Sequence, residues 1–111
     1  PDKLLDQWAW VALDDQGRML GFMTLDRTGY LDMAFVIPEA KGTKVAPSLH
    51  ASLLAQARDA GLTRLTVRAS ILARRFFLKQ GWQVDRRHMH DAAGQIYETY
   101  LMSLTLGAAP D

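Results

Sequence analysis

The sequence predicts an α+β domain with a mixed, mostly antiparallel sheet and a central βαβ unit. Three observations predict it. Three apolar runs with strand character follow one another within the first 38 residues, separated by turn residues. Leucines and alanines at helical spacing follow Pro47. Shorter strand and helix patterns then alternate and end in a hairpin. A hairpin-built sheet that takes up helical crossovers is an α+β plan. The third strand, the long helix and the fourth strand make the βαβ unit, and such crossovers are right-handed.

Trp8, Ala9, Trp10, Val11, Ala12 and Leu13 are apolar at both parities, the pattern of a strand covered on both faces. Asp14-Asp15-Gln16-Gly17 has turn chemistry, so residues 18–25 return as the second strand of a hairpin. Arg27-Thr28-Gly29 turns again, and residues 30–37 form a third strand ended by Pro38. Glu39 to Ala46 is polar. After Pro47, the positions Leu49, Leu53, Leu54, Ala57 and Ala60 are spaced as on a helix. Pro47 suits its first turn, where the missing N–H does no harm, and Gly61 closes it.

Leu62 to Ala69 reads as a strand, with Leu65 and Val67 on one face and Thr66 and Arg68 on the other. Ser70 caps a short helix running to Gln80, which Gly81 stops. Trp82 to Met89 is a further strand, Asp91-Ala92-Ala93-Gly94 a turn, and Ile96 to Leu106 the returning strand. Residues 1–7 are read as the end of a preceding helix and 107–111 as a frayed tail. The 111 residues make one domain.

Composition excludes several classes. An apolar fraction of 49% argues against disorder. A formal charge of +1 offers no global attraction to nucleic acid or to anionic membrane, and neither is expected as a partner. With no cysteine there is no disulfide framework, which is compatible with a reducing cytoplasm, the expected location. No apolar run approaches the roughly 18–20 residues that span a bilayer. Asp2, Lys3 and Asp6 do not suit a signal peptide. His88 and His90 share a strand face, but two ligands without a third do not make a metal site, and no metal is expected. His50, on the long helix, reads as a surface residue.

The informative junction runs Val36-Ile37-Pro38-Glu39-Ala40-Lys41-Gly42-Thr43-Lys44-Val45-Ala46. A loop entering a helix presents free backbone N–H groups at the positive end of the helix dipole, a natural site for an anion. Lys41 and Lys44 add charge, and Gly42 and Ala46 keep the backbone approachable. This segment resembles the acetyl-coenzyme A signature of the GNAT acetyltransferases: Gln or Arg, two residues, Gly, one residue, then Gly or Ala. Lys41 falls at the Gln/Arg position, Lys44 at the first Gly, as a departure, and Ala46 at the last. The later block Leu65 to Ser70, Ala73-Arg74-Arg75-Phe76-Phe77 and Gln80-Gly81-Trp82 resembles the family's following strand and helix. Together the two blocks extend the resemblance over residues 8–106.

The resemblance implies an acyl-CoA N-acyltransferase fold and transfer of acetyl from acetyl-CoA to an amine of a small molecule or a protein. It also implies the parts. Main-chain amides of Lys41, Gly42, Thr43, Lys44, Val45 and Ala46 would wrap the pyrophosphate. The backbone of Phe35, Val36 and Ile37 would hold the pantetheine arm where the sheet splays. Ser70, Ala73 and Phe76 would line its thiol end, and Phe77 reads as core.

Attack by an amine on a thioester needs a base, an oxyanion donor and a proton for the departing thiolate. Asp32, among apolar neighbours on the third strand, is the candidate base, ahead of Glu98. The family often places a tyrosine acid where this chain has Phe77, so Tyr97 and Tyr100 on the last strand are the candidates, with water as the alternative donor. Family members begin with a strand and two helices before the hairpin, which this stretch does not display. The apolar first strand then suggests a homodimer or a fragment. A degenerate acyl-CoA-binding or association module without turnover is the alternative reading.

Overall fold

The structure, a computed structural model, describes residues 7–107. The residues before Gln7, read from sequence as a helix end, and those after Gly107, read as a tail, lie outside them. The elements are β1 (Gln7–Leu13), β2 (Met19–Asp26), β3 (Tyr30–Val36), a 3₁₀ turn (Pro38–Ala40), α1 (Val45–Asp59), β4 (Arg64–Ser70), α2 (Ile71–Lys79), β5 (Gln83–Ala92) and β6 (Gln95–Thr105). Six strands form one sheet in the order β1-β2-β3-β4-β6-β5. All neighbours run antiparallel except β3 and β4. This is the mixed sheet with a central βαβ unit that the pattern predicts.

Both helices pack on one face. Leu49, Leu53 and Ala57 of α1 and Phe77 of α2 share a core with Met23, Leu25, Leu31, Leu65, Val67, Ala69, Trp82, Tyr100 and Met102. Alternation along β4 turns Leu65, Val67 and Ala69 into this core and Arg64, Arg68 and Ser70 out of it. The other face of the sheet carries no helix among the described residues. Consequently β1 is covered on one side only: Trp8, Trp10 and Ala12 pack against the core, while Val11 and Leu13 are more than half exposed. Two-sided burial, expected from the apolar run, does not occur. Trp8 is covered further by the Arg27 guanidinium, 4.2 Å above its ring.

His50 is the other correction. It is 2% exposed, and the Trp82 indole N–H donates a 2.9 Å hydrogen bond to its Nε2. Its ring stands edge-on to Phe76 and Phe77. The helical spacing that puts Leu49 and Leu53 inside carries this position inside as well. A buried imidazole is tolerable because Trp82 brings it a partner.

Both helices end in the same way. Leu62 N–H reaches the Ala57 carbonyl and Gly61 N–H that of Arg58. At the end of α2, Trp82 reaches Phe77 and Gly81 reaches Leu78. These are Schellman pairs, with Gly61 at φ 80° and Gly81 at φ 94°. The α1 helix begins at Val45, two residues before Pro47, which still lies in its first turn. Asp91 and Ala92, expected in a turn, continue β5. Ala93 (φ 54°) and Gly94 (φ 78°) alone make the two-residue turn, whose positive dihedrals match the twist of the flanking strands. No described helix is long and apolar enough to cross a membrane.

Candidate functional site

The site begins with a short seam. β3 and β4 pair through only Tyr30↔Thr66 and Leu31↔Val67. Gly29 starts the seam: its carbonyl accepts the Thr66 N–H at 2.9 Å, and a side chain there would meet the Arg64 carbonyl at 2.6 Å. Beyond Leu31 and Val67 the two strands part. A cleft of about 410 Å³ opens between them, lined by Asp32, Met33, Ala34 and Phe35 on one bank and by Arg68, Ala69 and Ser70 on the other. Ala73 and Phe77 of α2 close its inner wall.

The β3 backbone turns toward this cleft at alternate residues. Ile37 N–H bonds the Leu20 carbonyl of β2, and Met33 N–H bonds the Thr24 hydroxyl. From Met33 onward, past the bulge, the odd-numbered residues therefore spend their main-chain groups on β2, and the N–H and C=O of Ala34 and Val36 point the other way, to the parted side. Phe35, Val36 and Ile37 were all expected to contribute backbone. The geometry gives that orientation to Val36, with Ala34 as its companion. The Phe35 side chain lies in the cleft, 46% exposed.

Asp32 owes its aim to a bulge. Leu25 pairs with Leu31 and Thr24 with Met33, so Asp32 is the extra residue. A bulge bends the strand and redirects a side chain. Gln7 Nε2 donates to Asp32 Oδ2 at 2.9 Å.

The loop ahead of α1 sorts its amides into two sets. Lys41 N–H is held by Pro38 O, Thr43 N–H by Ala40 O, and Val45 N–H by the Thr43 hydroxyl at 3.3 Å. The amides of Gly42, Lys44 and Ala46 have no hydrogen-bond partner among the described residues. They lie at the positive end of a 15-residue helix. Gly42 is required by its φ of 79°, with nothing within 4 Å of a Cβ built there. The Lys41 and Lys44 side chains are exposed beside them.

Of the other expected site residues, Ser70 and Ala73 line the cleft. They are also joined to each other, because the Ser70 hydroxyl accepts the Ala73 N–H at 3.1 Å and caps α2. Phe76 does not line the cleft; it packs on His50. Phe77, read as core, is 2% exposed and forms part of the cleft wall. The two tyrosines are an odd number of residues apart on β6 and so face opposite ways. Tyr100 is buried on the helix side. Its hydroxyl donates to Glu98, which with burial raises its pKa, and the Arg74 guanidinium lies 4.6 Å over its ring. Tyr97 is 51% exposed on the bare face and stacks on His90 at 4.9 Å between centroids. Neither tyrosine lines the cleft. Sequence reasoning missed Arg68 as a cleft residue, placing it only on the strand face opposite Leu65 and Val67. Its position two residues before the Ser70 cap is the signal that could have found it. Among the described residues there is no group of three His, Asp or Glu able to hold a metal ion.

Comparison with known proteins agrees with this architecture. The family model described as "Acetyltransferase (GNAT) domain" matches residues 5–99. A peptidyl-lysine N-acetyltransferase, YjaB, from Salmonella typhimurium is 35% identical over 91 residues, covering 79% of this chain and 59% of that protein. A crystal structure of a GCN5-related N-acetyltransferase from Rhodopseudomonas palustris superposes with a TM-score of 0.81 at 31% identity, over 94% of this chain and 64% of that one. A phosphinothricin acetyltransferase of the GNAT superfamily from Sinorhizobium meliloti, solved with AcCoA, shares the fold at a TM-score of 0.76 and 19% identity, over 89% of this chain and 60% of that one. The chain thus spans about three fifths of the length of these relatives. A sheet that parts beside a helix-capping amide loop, together with the match over residues 5–99, establishes that this chain belongs to the GNAT acetyltransferase family.

Proposed function

We propose that the chain is the catalytic part of a cytoplasmic N-acetyltransferase that moves an acetyl group from acetyl-CoA to an amine. The observation that carries this is the union of two features in one chain: a cleft where β3 and β4 part, and three amides at the start of α1 without a partner among the described residues. The amides of Gly42, Lys44 and Ala46 suit a pyrophosphate, with Lys41 and Lys44 adding charge. The main-chain groups of Ala34 and Val36 suit the amide-bearing pantetheine arm, which would run down the cleft toward Ser70, Ala73 and Phe77. The fold neighbour solved with AcCoA and the peptidyl-lysine acetyltransferase relative support the same coenzyme and an amine acceptor.

The chemistry then follows from balance. The amine nitrogen attacks the thioester carbonyl carbon, a C–N bond forms and the C–S bond breaks. Asp32 takes the proton the amine loses, directly or through one water. The Val36 N–H stabilises the oxyanion as it forms. The thiolate takes its proton from water, because Phe77 has no hydroxyl and Tyr97 and Tyr100 stand outside the cleft. Phe77 also favours a second reading, a chain that holds acyl-CoA without turnover.

Calorimetric titration with acetyl-CoA, beside a Lys44→Glu variant, tests the coenzyme half. We expect binding that the variant weakens about tenfold or more, as loss and reversal of a charge-assisted contact would do. Release of free thiol on adding amines separates turnover from mere binding. No binding at millimolar acetyl-CoA would refute both readings.

A further inference from the structure

Asp32 and Arg68 stand on opposite banks of the cleft, at the same level and on the same side of the sheet. Leu31 and Val67 are in parallel register and both enter the core. Arg68, next after Val67, is therefore turned to the face without helices, and Asp32, the bulge residue, reaches that face as well, where it bonds Gln7, which lies on the same side of β1 as the exposed Val11 and Leu13. Both line the cleft, so one bank bears a carboxylate and the other a guanidinium. Arg68 is exposed and takes no carboxylate among the described ion pairs.

The strands beyond Arg68 extend its charge. Arg68 and Arg86 both pair with Leu101, so they share a row and a face. Ser70 and His88 both pair with Thr99 and form the adjacent row on that face. His90 lies next to them, its Nε2 2.7 Å from the Thr99 hydroxyl and its ring 4.7 Å from that of His88. Burial, then the charges of His88 and Arg68, lower the His90 pKa. Asp85 of β5 is engaged by Arg64 and Gln83.

Resting on the acetyltransferase reading above, we propose that the acceptor is a zwitterion, its amine received at Asp32 and its carboxylate held by Arg68, with Arg86 and His88 behind it. Paired strands lie about 4.8 Å apart, and these banks have already parted. That spacing suits an amine several bonds from its carboxylate, as in an ω-amino acid, better than an α-amine. A lysine side chain beside an acidic residue in a peptide presents the same pair of charges.

The test is calorimetric binding to the full chain saturated with free coenzyme A, which has no acetyl group to transfer to the probes. The probes are 6-aminohexanoate and 6-aminohexanamide, which differ only in the carboxylate. The acid is expected to bind at least tenfold tighter, Arg68→Gln to abolish that preference and Arg68→Lys to restore part of it. Equal binding of acid and amide, binding of neither, or a preference that survives Arg68→Gln overturns the proposal. Blocked Glu-Lys and Gln-Lys dipeptides distinguish the sources: a larger preference between them than between the free probes assigns the carboxylate to a protein acceptor, and a smaller one to a small molecule. Failure of acetyl-CoA itself to bind, read in the coenzyme titration alone, overturns the underlying reading instead.

Discussion

Trp82 Nε1 donates to His50 Nε2 at 2.9 Å across 32 residues of sequence, tying the middle of α1 to the link between α2 and β5. The bond requires a neutral imidazole with its proton on Nδ1. Burial, with the nearby Arg58 charge, lowers the His50 pKa from 6.5 to about 4.

Stability should therefore fall with acid in a defined window. Between about pH 6.5 and pH 4 the unfolded chain binds a proton at this histidine that the folded chain does not, so stability rises with pH there. At pH 5 the loss relative to pH 7.5 is on the order of 2 kcal/mol from this group. Thermal melts at pH 7.5 and pH 5 should show it as a drop of several degrees. In His50→Leu that drop should shrink, whatever the variant's stability at pH 7.5.

Two glycines with similar dihedrals should respond differently to alanine. Gly29 has φ 99° and would place a Cβ 2.6 Å from the Arg64 carbonyl, at the start of the β3–β4 seam. Gly42 has φ 79° and open space around it. Gly42→Ala is expected to cost about 1 kcal/mol, the backbone term alone. Gly29→Ala should cost more than about 2 kcal/mol, since backbone must move as well. Urea denaturation of both variants measures the difference. Equal costs would mean that the seam yields without strain.

Ser70→Ala removes the hydroxyl that caps α2 and should destabilise by about 1 kcal/mol. Ser70→Asp keeps an acceptor at the cap and should retain most of that stability. Thermal melts rank the two variants.

Asp32→Asn keeps the size of the side chain and removes its basicity. We expect thiol release with an amine to fall about a hundredfold or more, while acetyl-CoA affinity changes little. Steady-state rates and a coenzyme titration on the same sample read both. Unchanged turnover would remove Asp32 from the base role.

Much of the fold was legible because it rests on local rules. Gly61 and Gly81 announced the helix ends, Ser70 the cap, and alternation in Leu65, Thr66, Val67 and Arg68 the two faces of β4. What failed rests on distant partners. His50 has its neighbours on α2 and at Trp82 just beyond it, so no local pattern marks it as buried. Val11 and Leu13 are as apolar as any core strand, but nothing near them in sequence states which layer covers them. In the site, Gly42 and the residues around it marked the loop ahead of α1, but not that Lys41, Thr43 and Val45 spend their amides inside it. The aim of Asp32 depends on a one-residue bulge against β2, and the placement of Tyr97 and Tyr100 depends on the register of β6. Neither can be counted from the chain alone.

The two-pair contact between Tyr30-Leu31 and Thr66-Val67 also has a mechanical meaning. The sheet is two antiparallel plates, β1-β2-β3 and β4-β6-β5, welded along a very short line. The cross-brace is helical: α1 leans on the first plate, α2 on the second, and they meet at His50 and Phe76. A molecule lodged in the gap would act as mortar, bonding to edges that the strands do not satisfy for each other. Deuterium uptake at Ala34, Val36 and Arg68 to Ser70 would then be the part of the protein that a ligand quiets most, while the hairpins within each plate would hardly register its arrival.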